Sequence, residues 1–343
     1  MTINNHLLRV GFVPEHFAAP LHKLAATPWG REHIELVSQP SGTGQMLTSL
    51  DATKSPQQID VAVALTEALI TGIAKGRTDY KLVGSYVRTS LNWAVITGTN
   101  DYAQKYNTIS DLKGTAIGIS RIGSGSQIMA SVMALQHGWH TSTAAGNQSA
   151  NETEKAEIEF KVNDTFQNLR DGVNGKQPYD SSCFMWEWYT TKPYVDSGEV
   201  RFIGSVPTPW PSWTIAASTN TSLSPDDARS KILPDFLQRL QQEIKLFANP
   251  QTRQDGEAKM WIVNHHQYKQ EDVESWLNTV RWVGEDTQDP QTLKLPEHGQ
   301  KTSTSTVSKG VINQTLKVLE KAGILNADFD PILFVDSECR LVD

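Results

Sequence analysis

The first half of the chain alternates short β-branched runs with stretches of helical periodicity, the pattern of βα units on a parallel sheet. Residues 8–13 predict a strand, followed by Pro14-Glu15-His16 and a helix over 17–26. Residues 34–37 predict a second strand, then Pro40-Ser41-Gly42-Thr43-Gly44 and a helix from about Gln45. Residues 59–65 predict a third, then Thr66-Glu67 and a helix closing between Gly72 and Gly76. Two further runs, 81–87 and 91–97, read as strands, the second crossing out of the domain.

A second unit begins near Gly98. Leu112-Lys113-Gly114 leads into a strand over 115–119, then Arg121-Ile122-Gly123-Ser124-Gly125-Ser126, then a helix to about His137 stopped by Gly138. Residues 141–157 are polar and read as an exposed insertion. Strands follow at 158–162, 182–186, 200–203 and 212–217, with a helix over 165–173 and another before 200. From Pro225 the periodicity is helical, over 225–248, 251–265, 270–279 and 307–322. The expected architecture is two α/β lobes with a helical C-terminal extension. Lobe 1 takes residues 1–95 and 206–343, and lobe 2 takes 96–205. In open α/β sheets ligands lie beyond the carboxyl ends of the strands, so two such lobes predict a ligand cleft. The crossing segments 95–98 and 205–213 are the expected hinges.

Composition narrows the class. The 343 residues carry 31 Lys+Arg against 38 Asp+Glu, a net charge of −7, so there is no basic footprint for nucleic acid or an anionic membrane. Only Cys183 and Cys339 are present, too few for a disulfide scaffold, and reduced thiols are expected. No apolar run reaches the roughly 18–20 residues of a membrane span. The chain enters its first strand almost directly, without a basic and apolar leader, which gives a cytoplasmic expectation. His265-His266 on a helix point about 100° apart and cannot chelate one metal together. No His-Glu-x-x-His or Cys-x-x-Cys spacing occurs, so neither metal nor cofactor is expected. No Gly-x-Ser-x-Gly elbow is present and Ser124 has no base partner in sequence, so no catalytic residue is singled out.

Candidate ligand contacts fall at strand ends. Gly123, Ser124, Gly125 and Ser126 join a strand to a helix. Glycine admits close backbone approach, a serine can cap, and the first-turn N–H groups can receive an anion; the other reading is an ordinary capped βα turn. Thr43 and Gly44 occupy the equivalent loop of the first lobe. His16, in the first βα loop, either faces the ligand or is a capping or surface histidine. Trp93 (with Asn92 beside it), Trp186 and Trp210 can stack on a flat ligand or pack the core. Glu67 and Glu187 follow strands; they either hold an amine, amidine or hydroxyl group or are first-turn acids favoured by the helix dipole.

The order of elements resembles the type II periplasmic-binding-protein-like family of bacterial sulfonate, nitrate and taurine binding proteins and the fungal thiamine-pyrimidine synthases. The likeness is carried by Val10-Gly11-Phe12-Val13-Pro14, by Ile59-Asp60-Val61-Ala62-Val63-Ala64-Leu65, by Asp111-Leu112-Lys113-Gly114-Thr115-Ala116-Ile117-Gly118-Ile119, by Gly123-Ser124-Gly125-Ser126 and by residues 186–204, over residues 7–220 in all. It implies a hinged two-lobe Venus flytrap that closes on a small solute. The synthases pair a cysteine cluster with a histidine early in the helix after the third strand. Here that helix reads Thr66-Glu67-Ala68-Leu69 and Cys183 stands alone, so the expectation is a cytosolic fungal member without the cluster. The expected function is solute binding without turnover, the ligand bearing an anionic and an amino group, such as an aminosulfonate or aminopyrimidine phosphate. The alternatives are an enzyme of thiamine-pyrimidine precursor synthesis on the same fold and the binding subunit of an ABC transporter, although a transporter partner is not expected.

Overall fold

The computed structural model describes residues 7–54, 56, 58–139, 158–285, 302–325 and 329–342; the polar stretch 141–157 lies outside the described residues. They form two α/β units. One holds the described residues up to Ser90, from Pro209 to Gln314 and from Phe329 onward; the other holds Leu91 to Thr208 and those from Thr315. In chain order the strands are β1 (Leu8–Phe12), β2 (Ile34–Ser38), β3 (Val61–Leu65), β4 (Tyr80–Val87), β5 (Asn92–Gly98) and β6 (Thr115–Ile119). After them come β7 (Ile158–Val162), β8 (Cys183–Glu187), β9 (Val200–Pro207), β10 (Trp213–Ser218), β11 (Thr306–Ser308) and β12 (Arg340–Val342).

The first unit is built on a sheet ordered β2-β1-β3-β10-β4. β2, β1 and β3 are parallel, whereas β10 is antiparallel to both β3 and β4, so the sheet is mixed rather than parallel. The reason lies at one edge: the chain re-enters at Trp213, opposite Leu65 and Val87, where β3 and β4 end, and must run back. β3 is buried at every position, as a strand covered on both faces must be. The helix Leu233–Phe247 buries Leu233, Phe236, Leu237, Leu240, Ile244 and Phe247, one stripe at helical spacing. Each such side chain contributes roughly 1.5–3 kcal/mol.

Asp60, just before β3, is fully buried. Its carboxylate accepts from the Arg9 backbone N–H at 2.9 Å, from Arg9 Nε and Nη2 at 2.9 and 2.7 Å, and from Arg229 Nη1 at 3.0 Å. These bonds tie β1 and β3 to the segment after β10.

The second unit repeats the plan with order β7-β6-β8-β5-β9. β6, β7 and β8 are parallel, and β5, which enters at the carboxyl edge opposite Glu187, is antiparallel to β8 and β9. Its core joins Ala94, Ile96, Leu169, Val173, Phe184, Trp186 and Val200.

The structure corrects several expectations. The helix predicted over 225–248 starts only at Leu233, with Pro234 in its first turn. The one predicted over 251–265 is two helices, Pro250–Gln254 and Glu257–His266, because Gly256 between them takes φ +75°. A short helix, Pro28–His33, capped by Thr27 Oγ1 on the Gly30 N–H, and the paired β11 and β12 carry no signal strong enough to predict. Both cysteines are free thiols. Among the described residues no helix is long and apolar enough to cross a membrane.

Candidate functional site

In the first unit the carboxyl ends of β1, β2 and β3 and the start of β10 share one edge. The turn after β3 is fixed to β10: Thr66 N–H donates to Ser212 O at 3.1 Å, and the hydroxyls of Thr66 and Thr214 lie 2.7 Å apart. Next to this clamp the Glu67 side chain is fully buried, and its Oε2 accepts from Trp210 Nε1 at 2.8 Å. Its Oε1 is buried and has no hydrogen-bond partner among the described residues. Burial pushes the carboxyl up to about 7, against the opposing pull of its own backbone N–H and the indole.

Thr43 is buried, and its Oγ1 accepts the Leu65 N–H at 3.1 Å, joining the second loop to the end of β3. Gly44 is half-buried and its carbonyl takes the Thr48 hydroxyl. His16 lies in a short 3₁₀ turn and is enclosed by aromatic rings: Phe17 at 4.5 Å, Trp276 at 4.3 Å and Tyr268 at 5.5 Å between centroids. Burial, and then the nearby His266, hold its imidazole well below 6.5. Phe17 continues the ring packing to Trp213. A void of about 10 Å³, room for about one water, is lined by Trp213, Phe17, Phe12 and Tyr86 among others.

In the second unit the loop after β6 closes on itself. Ser126 Oγ accepts the Ser120 N–H at 3.0 Å and lies 2.9 Å from Ser124 Oγ, which donates to Arg121 O at 2.7 Å. Gln127 Oε1 takes the Gly123 N–H at 2.6 Å. Gly123 sits at φ +78° with open space where a Cβ would be, a conformation that L side chains rarely adopt. The serine side chains bond within the loop, and the backbone first turn of Gly125–Gln136 opens at this edge.

Asn92 and Trp93 open β5, where Trp93 pairs with Glu187 on one side and Val206 on the other. Trp93 is buried and its indole N–H has no hydrogen-bond partner among the described residues. Glu187 is buried and caps the helix Trp188–Asp196, its Oε2 accepting from Thr190 N–H at 2.7 Å. Trp186 stacks on Phe166 at 5.0 Å within the core.

The structure thus brings Glu67, Trp210, Thr43 and His16 to the edge of one unit, and Trp93, Glu187 and the 123–126 loop to the edge of the other. Trp213, which stands with Trp210 in the Trp210-Pro211-Ser212-Trp213 run before the return strand, opens β10, with a buried indole N–H lacking a hydrogen-bond partner among the described residues. One residue at these strand ends escaped the sequence reading: Arg88, at the end of β4, is buried and donates through Nη1 to Glu285 O at 3.0 Å. The available signal was position, directly beside a strand end. Among the described residues no group of three or more His, Cys, Asp or Glu side chains is arranged to hold a metal.

Known structures repeat this plan. The Candida albicans CA3427 gene product, described as defining a new family with the generic periplasmic binding protein fold, is 30% identical, with 98% of this chain and 97% of that chain covered at a TM-score of 0.77. The alkanesulfonate-binding protein SsuA of Xanthomonas axonopodis pv. citri, bound to MOPS, is 15% identical over 96% of this chain and 98% of its own, TM-score 0.63. The periplasmic nitrate-binding protein NrtA of Synechocystis PCC 6803 is 16% identical over 98% and 87%, TM-score 0.60. These last two share the fold. No curated protein matches the chain in sequence. The Ca3427-like PBP family matches residues 93–206. With 30% identity over nearly the whole of both chains, the protein belongs to the Ca3427-like family of proteins with the periplasmic-binding-protein fold.

Proposed function

We propose that this protein binds a small solute carrying an anionic group at one end and an amino group at the other, an aminosulfonate or an aminopyrimidine phosphate being the chemical type. The observation that carries the reading is Glu67, a fully buried carboxyl at a strand's carboxyl end whose Oε1 has no hydrogen-bond partner among the described residues. A buried oxygen in that state costs free energy that an amino group would recover. The Gly123-Ser124-Gly125-Ser126 turn, which opens the helix Gly125–Gln136 in the second unit, presents first-turn N–H groups of the kind that receive an anion. MOPS, bound to the alkanesulfonate-binding relative in fold, has both an amine and a sulfonate.

A thermal-shift series tests the proposal: 2-aminoethanesulfonate, MOPS and an aminopyrimidine phosphate against sulfate and nitrate. A ligand at about 100 times its Kd stabilises by about 2.7 kcal/mol, a shift of a few degrees in a chain of this size. Amino-bearing anions should shift the melting temperature and inorganic anions should not. Equal shifts from sulfate would end the two-ended reading.

A further inference from the structure

Resting on the amino-bearing ligand just proposed, we infer that solute binding is coupled to proton release, the ammonium of the ligand displacing the proton of Glu67 at Oε1.

The inference comes from what surrounds the side chain. Trp210 Nε1 can only donate, so Oε2 must accept, and the acid proton belongs on Oε1. That is the buried oxygen with no hydrogen-bond partner among the described residues. The neighbours supply no countercharge. Glu67 is the one ionisable residue of its own helix, Thr66–Ala74. The helix Thr43–Leu50, β3, β10, the turn Pro331–Phe334 and residues 210–213 contain no ionisable side chain. β4 carries Tyr80, Lys81 and Tyr86, but the Tyr80 hydroxyl donates to Leu69 O at 2.8 Å, Lys81 Nζ donates to Leu333 O and the Tyr86 hydroxyl donates to Phe17 O at 2.7 Å. A carboxylate taken from water without a cation is costly, and the acid form avoids the cost. The upward displacement to about 7 agrees with this geometry.

When an ammonium reaches Oε1 it supplies the missing charge, and the carboxyl gives its proton to solvent: an acid and a free ammonium become an ion pair and a released proton. A hydroxyl in the same place would instead accept from the Oε1–H, and no proton would leave. Glu67 would then distinguish amino from hydroxyl solutes, and the discrimination would grow with pH.

Titration calorimetry reads this directly, with 2-aminoethanesulfonate as probe, 2-hydroxyethanesulfonate as control, and buffers of different ionisation enthalpy. Near pH 6 the amino probe should release about one proton per ligand, and its affinity should rise about tenfold per pH unit below 7. The Glu67→Gln variant should bind more weakly and release none. Binding of the amino probe without proton release, or release retained in Glu67→Gln, would overturn the coupling and leave the ligand reading standing. No binding of either sulfonate would overturn both. A carboxyl ¹³C titration of the free protein is an independent check: a Glu67 midpoint near 4.5 would overturn the coupling whichever ligand is used.

Discussion

Two buried carboxyl groups stand at opposite ends of β3, and the fold treats them in opposite ways. Asp60, before the strand, receives bonds from Arg9 and Arg229 on all sides. Glu67, after it, receives one indole N–H and faces elements without charge. Both are fully shielded from water, so burial alone does not separate them. A carboxylate that holds the fold together brings its own cations; one left without them stores free energy that something outside the fold can recover.

The strongest way to break this contrast is Asp60→Ala. It takes the shared carboxylate from Arg9 and Arg229, the latter keeping its pair with Asp227, and should cost about 3 kcal/mol in urea unfolding; a loss under about 1 kcal/mol would show the pairing to be incidental. At the other end of the strand, Glu67→Gln should stabilise the free protein, with a definite pH dependence. The folded carboxyl lies above its ordinary 4.5, at about 7, so its contribution is fully present below 4.5 and is lost as pH rises through 7. The variant should match the parent near pH 4 and exceed it by roughly 3 kcal/mol above pH 7. Parallel stability curves would erase the distinction between the two acids.

The histidines beside β1 sharpen the comparison from the other direction. His22 and His266 are held down to about 4, by burial first and then by neighbouring histidines. Their contribution is present above 6.5 and is lost as pH falls toward 4. His22→Gln should flatten that acid limb by roughly 1–2 kcal/mol, after allowance for partial exposure. An unchanged melting profile between pH 7 and 4.5 would exclude His22 from it. The smallest effect belongs to the second unit: Ser126→Ala removes the acceptor of the Ser120 N–H and should cost about 1 kcal/mol in thermal unfolding, with 2-aminoethanesulfonate still bound. Loss of binding would make the Ser126 hydroxyl a ligand contact.

What the sequence revealed follows the range of the interactions involved. β6 and β7 were legible to the residue, since each is an apolar run ended by turn chemistry within a few positions. β10 was legible as a strand but not as an antiparallel insert, because its place is set by partners more than 120 positions earlier. The Gly-Ser loop was visible for local reasons, while the fact that its serines bind one another was not. Glu67 was visible as an acid after a strand. Its charge-poor surroundings were not, since they come from helix Thr43–Leu50, β10 and the turn Pro331–Phe334. His16 was noticed, but Tyr268 and Trp276, which enclose it, lie in the tail, where nothing in the pattern points back to residue 16.

The place of β10 also orders the making of the protein. On the ribosome, all five strands of the second sheet, from Asn92 to Pro207, are synthesised before Trp213 exists. β3 and β4 therefore wait for the strand that belongs between them while some 120 residues are added, on the order of ten seconds at typical elongation rates. During that interval each presents an unpaired backbone edge of the kind that invites wrong partners. The unit that begins translation first is the one whose sheet is completed last.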